Sequence, residues 1–272
     1  MSLFKEVQIG SLGELMDRAT PAKPDPASGR RRNYSVYRGV SNDKCGLLTS
    51  LDQLGGCDPP HTKAHLEEHI LRNFIRYAQP FLRHRNGNDW ELLITAQHHG
   101  LPTRLLDWTY SPLVAAHFAT LQEKADGDRL IWQLDWRRIH EYFKLKPLAF
   151  LVSDLDEALR EKGYQSAWEL FSNKGDGKEP FICMLEPPGL DARIMAQSAA
   201  FTLSSVKTRS FDAILRECNL THCLTKFVIP ESKVDFIRDQ LDLCSMDERS
   251  LFPDLDGIAA EIKRYYAAPA EI

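Results

Sequence analysis

The sequence predicts an α+β fold: one domain with a mixed, mostly antiparallel sheet and a helical cluster over residues 62–123. Three observations predict it. Helix-period apolar patterns crowd into 62–123. Strand and helix patterns then alternate without the regular units of a doubly wound parallel sheet. No internal repeat is visible.

The elements follow in order. Residues 3–20 open with the strand-like LFKEVQI and a short helical piece, and 21–32 (PAKPDPASGRRR) carry three prolines and a basic run. Residues 1–33 are therefore expected to be an N-terminal arm, 34–267 the domain proper and 268–272 a fraying tail. YSVYRGV (34–40) alternates aromatic and β-branched residues, as a strand does. Residues 46–56 show no clear period. Thr62 can cap a helix whose apolar set is Leu66, Ile70, Phe74, Tyr77 and Ala78, ended or kinked at Pro80. Asp89 starts a second helix with Trp90, Leu93, Ile94 and Gln97 on one side, stopped by Gly100. Residues 101–109 are read as a loop anchored by Leu105 and Leu106. Ser111-Pro112 reads as an N-cap with proline at the first helical position, opening a helix toward Lys124. Strands are expected at 128–135, 180–185, 199–205 and 222–230. Helices are expected at 136–144, 154–171, 231–244 and 255–267.

Composition narrows the function classes. The 272 residues are 43% hydrophobic and 26% charged, with net charge −4. An overall basic field for nucleic acid is absent, leaving only local patches at Arg30, Arg31, Arg32, Arg83, His84 and Arg85. Six cysteines show no CxxC and no zinc spacing, and the start lacks a basic stretch followed by an apolar run. These features read as structural thiols in a reduced, cytoplasmic protein. No stretch of about 18 apolar residues suits a membrane. GxGxxG, P-loop, HExxH and GxSxG signatures are missing. His61, His65 and His69 recur on one helix face, but this is read as a solvated face, with no metal expected.

Polar chemistry concentrates in QHHGLPTRLLDWT (97–109). His98 and His99 end a helix, where cations suit the dipole, but adjacent residues point about 100° apart unless the helix has unwound. Arg104 offers a rigid fork for phosphate or carboxylate, or it pairs internally with Asp107. Trp108 and Tyr110 either stack on a ring or pack. Arg38 lies within an apolar strand and needs a partner, whether Asp107, Glu186 or a ligand phosphate. Gly39 permits close backbone approach. Arg193 and Gln197 lie four apart ahead of a strand with small residues at 198–200, a segment without a visible cap. SLFPDLDGIAAEIKRYY (250–266) reads as structural.

These pieces resemble the FRG domain family of bacteria and phages. The matching residues are Tyr37-Arg38-Gly39, the 97–109 block with Pro112, Ala115 and Phe118-Ala119, then Arg193, Gln197, Phe201-Thr202 and 251–257. The resemblance runs from 34 to 262, with one departure: Ser198-Ala199-Ala200 stand where the family has a glycine soon after the glutamine. A more distant similarity to ADP-ribosyltransferases implies an NAD site and a fold of that kind. It implies Arg38 in the first-strand role, Thr103 or Thr109 as the hydroxyl before a helix, and Gln197 where a glutamate is expected, with Asp107 as the alternative acid. The resemblance thus implies Arg38, Asp107 and Gln197 as catalytic residues. Tyr37, Gly39, His98, His99, Thr103, Arg104, Trp108 and Arg193 would bind NAD or another nucleotide. A protein or nucleic-acid acceptor, an antitoxin or other defence partner, and a role as a toxin or in phage defence follow from the same resemblance. The alternative is a non-catalytic module that binds a nucleotide, nucleic acid or protein.

Overall fold

The computed structural model describes residues 4–41, 46–54, 62–81, 88–121, 127–171, 178–206 and 209–267. The strands are β1 (Lys5–Gln8), β2 (Val36–Val40), β3 (Leu105–Thr109), β4 (Arg129–Leu134), β5 (Ile182–Leu185), β6 (Ala199–Ser204) and β7 (Leu224–Ile229). The helices before β4 are α1 (Leu12–Ala19), α2 (Ser50–Gln53), α3 (Lys63–Ala78), α4 (Asp89–His98) and α5 (Pro112–Thr120). After it come α6 (Trp136–Tyr142), α7 (Val152–Glu161), α8 (Ala167–Phe171), α9 (Ala192–Ala196), α10 (Phe211–Glu217), α11 (Val234–Leu243), α12 (Glu248–Leu251) and α13 (Leu255–Tyr265).

The strands form one sheet in the order β1-β7-β4-β2-β3-β6-β5. Among these described strands, the β1–β7 pair alone is parallel and the other neighbour pairs are antiparallel. The α+β class and the mixed, mostly antiparallel sheet therefore stand. Strand alternation divides the core between the two faces. Val36, Trp132 and Leu134 join the larger cluster with Trp90, Leu93 and Phe171. Tyr37, Ile131, Phe227 and Ile229 face the smaller one, beneath Ala115, Ala116 and Ala119 of α5. Gly39 is what lets α5 lie so close: a Cβ there would stand 1.9 Å from the Ala115 carbonyl oxygen and 2.6 Å from the Ala119 nitrogen.

Local signals placed several elements well. Thr62 caps α3 by accepting from the His65 N–H, and Ser111 caps α5 ahead of Pro112. Four expectations need correction. Residues 5–19 are not set apart as an arm: β1 pairs with β7 from Lys5↔Thr225 to Gln8↔Val228, and α1 buries Leu12, Leu15 and Ala19. The expected loop at 105–109 is instead β3, hydrogen-bonded to β6 from Leu105↔Leu203 to Thr109↔Ala199. It sits inside the sheet with four of its five residues buried, so the polar–apolar alternation of a one-sided strand is missing. The helix expected over 154–171 breaks into α7 and α8 around Gly163, whose φ of +82° ends a helix easily. The supposed strand lead-in before 199 contains α9, and Asp191 is its cap, accepting from the Ile194 N–H at 2.9 Å.

Candidate functional site

A cavity of about 710 Å³ opens where β2 and β3 meet the end of α4 and the short α9. Nine of the proposed site residues line it: Tyr37, Arg38, Gly39, His98, His99, Asp107, Trp108, Arg193 and Gln197. They come from four separate stretches of chain, brought together by the β2–β3–β6 order.

Arg38 and Asp107 form the centre. Arg38 Nη1 donates to the Asp107 carbonyl oxygen at 2.9 Å and to Oδ2 at 3.3 Å. The Arg38 side chain is 20% exposed and that of Asp107 54%, so the pair is wet on the carboxylate side. Arg38 Nε is buried and has no partner among the described residues. Of the options for Arg38, Asp107 is the partner found. Glu186 accepts instead from the Tyr110 hydroxyl at 2.5 Å, and this bond, added to burial, raises the Tyr110 pKa.

Asp107 has a second donor that sequence reasoning passed over. Gln97 Nε2 donates to Oδ1 at 2.9 Å. The sequence shows Gln97 only as one member of a helix face and the first residue of the 97–109 block. Its signal was there to see: it is a polar side chain on the turn of helix that leads straight into the His-His-Gly cluster. Thr103 supports it from behind, donating its hydroxyl to Gln97 Oε1 at 2.5 Å. Thr103 is fully buried and does not line the cavity.

The histidines both reach the cavity because α4 ends between them. His98 is the last helical residue; His99 is the C-cap, and Gly100 follows at φ +81°. Their rings meet edge-on at 5.2 Å. His98 Nε2 pairs with Asp191 Oδ2, tying α4 to the cap of α9. Burial lowers the His98 pKa, and the Asp191 carboxylate opposes that shift.

The far wall belongs to α9 and the C-terminal segment. Gln197 is the C-cap of α9, and Ser198 turns the chain into β6 at φ +46°. The Gln197 side-chain N–H donates to the Leu251 carbonyl at 3.0 Å, and its own carbonyl accepts from Thr109 Oγ1 at 2.7 Å. The Arg193 guanidinium lies 4.6 Å from the Phe252 ring centroid. Residues 250–266, read as structural, thus brace this wall. Gly257 carries the close contact: a Cβ there would lie 1.9 Å from the Phe252 carbonyl oxygen.

Besides Thr103, one more proposed binding residue lies outside the cavity. Arg104 is buried against Glu67 of α3, donating through Nε at 2.8 and 3.0 Å and also through Nη2. Its Nη1 reaches the Ser204 carbonyl at 3.4 Å. It borders a separate, small cavity, and its carboxylate partner is Glu67 rather than Asp107. Trp108 and Tyr37 mainly pack. Trp108 Nε1 donates to Thr202 Oγ1 at 2.9 Å. Burial pushes the Tyr37 phenol up to about 12 while its oxygen accepts from Gln133 Nε2 at 3.2 Å.

Other features stand apart from this cavity. His65 and His69 border an open hollow on α3 with Glu68 and Arg72; His61 lies outside the described residues, as do Arg83, His84, Arg85, Cys45 and Cys57. No group of three or more His, Cys, Asp or Glu among the described residues is arranged to hold a metal. No helix among them is long and apolar enough to cross a membrane.

Neither the curated proteins nor the solved structures yield a match to the chain. Residues 33–128, about a third of the chain and the part that supplies Arg38, Gln97, His98, His99 and Asp107, match the FRG domain family.

Proposed function

We propose that this cavity takes NAD or a related nucleotide and that the protein is an ADP-ribosyltransferase-like enzyme, acting by transfer or by glycosidic cleavage. The observation that carries the proposal is the Arg38–Asp107 pair at a cavity of nucleotide size. Small-molecule sites span roughly 300–1,000 Å³, and the cavity has about 710 Å³. Asp107 is the one carboxylate among the described residues lining it, set beside Arg38, Arg193, His98 and His99. The guanidinium groups of Arg38 and Arg193 suit phosphate oxygens; the carboxylate suits positive charge developing on a ribosyl carbon.

In that chemistry the bond between nicotinamide nitrogen and ribose C1′ breaks. Nicotinamide leaves with the electron pair and becomes neutral. The oxygen of water, or of an acceptor on a protein or nucleic acid, bonds to C1′ and releases its proton. Gln197 cannot offer charge, and its side-chain N–H is committed to the Leu251 carbonyl. The electrostatic role therefore falls to Asp107. A cytoplasmic setting, activity as a toxin or in phage defence, and control by an antitoxin-like partner belong to the same proposal.

A second reading, a nucleotide-binding module without turnover, is favoured by the neutral, engaged Gln197. One experiment separates the two. Purified protein is incubated with NAD labelled in the nicotinamide and in the adenylate, with and without acceptors. We expect nicotinamide release, reduced about 10²–10³-fold by Arg38→Ala or Asp107→Asn at unchanged melting temperature. Saturable NAD binding with no release would establish the binding module. Neither binding nor release by folded protein would refute both.

A further inference from the structure

We propose that Gln97 and Thr103 are positioning residues that fix the direction in which the Asp107 carboxylate faces the cavity. The inference rests on the role given to Asp107 above, and it identifies what sets that group in place. A glutamine amide can present either its oxygen or its nitrogen, and only the nitrogen can serve a carboxylate. The flip is decided on the side away from the cavity. The Leu105 N–H donates to Thr103 Oγ1 at 3.1 Å, which occupies a lone pair and leaves the hydroxyl proton free to point elsewhere. That proton goes to Gln97 Oε1, at 2.5 Å. With its oxygen claimed, Gln97 turns Nε2 to Asp107 Oδ1. In the opposite flip two acceptor oxygens would face each other.

Thr103 is itself clamped. Its N–H donates to Ser50 Oγ at 3.1 Å and its carbonyl accepts from the Leu51 N–H at 3.2 Å, both at the start of α2. Being fully buried, it can act on a ligand only through Gln97. Asp107 is then held at both oxygens, Oδ1 by Gln97 and Oδ2 by Arg38, so the carboxylate plane cannot rotate freely. The other charged or titratable groups among the described residues lining the cavity are Tyr37 on β2, His98 and His99 at the end of α4, and Arg193 on α9. The chain of contacts Thr103–Gln97–Asp107–Arg38 thus runs from a buried turn to the open carboxylate.

The test uses the full chain and two readouts. The first needs no ligand: side-chain amide NMR of Gln97, its signals assigned by their loss in Gln97→Leu. The Nε2 proton bonded to Asp107 is expected to be protected from exchange in the wild type and in Thr103→Ser. In Thr103→Val, which keeps the shape and removes the hydroxyl, protection falls about tenfold or more. The second is NAD turnover. Thr103→Val and Gln97→Leu should lower kcat about tenfold, with KM changed by less than about twofold and with rescue by Thr103→Ser; a merely structural loss would not follow the hydroxyl in this way. If Thr103→Val does not fold, Asp107→Ala must expose the same Nε2 proton. An amide equally protected in Thr103→Val or Asp107→Ala would overturn the inference. Absence of NAD turnover in the wild type would instead strike the proposed function, leaving the amide readout to decide this one.

Discussion

Breaking the Arg104–Glu67 pair separates a stability role from a ligand role. Arg104 is 6% exposed and Glu67 1%, and the guanidinium meets the carboxylate through both Nε and Nη2. Such a pair returns little net stability against replacement by apolar residues, because two ions lost their water to form it. Removing one partner is different: the other remains a buried charge with no counterion, at a cost of about 3–5 kcal/mol. Unfolding entropy of about 2.1 cal/mol/K per residue over 272 residues makes each kcal/mol worth a little under 2 °C. Arg104→Met or Glu67→Leu alone should therefore lower Tm by about 5–9 °C. The double variant, with no charge left, should recover most of that loss. Calorimetric melts of the wild type, both single variants and the double variant give the comparison. Nucleotide binding measured below the melts should stay within about twofold of wild type in all of them, since neither residue lines the large cavity. Arg104→Met that melts like wild type yet binds nucleotide tenfold more weakly would put Arg104 back in the ligand site and refute the reasoning.

Two more outcomes can be measured directly. Gly39→Ala must push α5 off β2, because the new Cβ meets backbone atoms at 1.9 and 2.6 Å; a loss of about 3 kcal/mol or more is expected in denaturant melts, and a Tm within a degree of wild type would contradict the packing described. Lowering pH should destabilise the fold before ordinary carboxylates titrate. Burial and then the Arg238 cation depress His117 to about 4, and burial depresses His140, whose Nε2 accepts from the Met184 N–H at 2.7 Å. Both have folded pKa values below the ordinary 6.5, so the unfolded chain binds more protons in that window. Their contribution is fully present above about pH 6.5 and is lost as pH falls; for His117 the loss continues toward pH 4 and is on the order of 3 kcal/mol. Melts at pH 7.5 and 5 should show the lower Tm at pH 5; an equal or higher value there would reverse the sign.

Much of the fold was legible where the signal is local. A threonine before Lys63 and a Ser-Pro before Leu113 are complete statements about helix starts, and β2 declared itself by alternation. Arg38 was legible as a site residue because a cation in an apolar strand demands a partner, and Asp107 was among the partners considered. What escaped depends on distant chain. LLDWT reads as a loop until β6 is known to lie against it. Lys5–Gln8 lies within the strand-like LFKEVQI, but a four-residue strand exposed along most of its length does not tell that β7 is its partner. Arg104 looked available because Glu67, inside a histidine-rich helix, drew no attention as its counterion. Gln97 was hidden by its setting, since a polar residue near the end of an apolar helix face suggests solvent until a carboxylate appears 2.9 Å away.

The strand order also says where this protein can be cut. The segment that matches the FRG domain ends at residue 128, one residue before β4 begins. Within it, β2 and β3 share only the Tyr37↔Thr109 pair. Their long ladders run outward, five registered pairs from β2 to β4 and five from β3 to β6. A fragment ending at 128 would carry two neighbouring strands whose remaining N–H and C=O groups have nothing to bind, the kind of open edge that recruits other copies. The stretch defined by sequence likeness is thus the middle of a sheet rather than a portable module, and a fusion or transplant of the site has to carry the chain through β6 and the Leu251–Phe252 brace behind it.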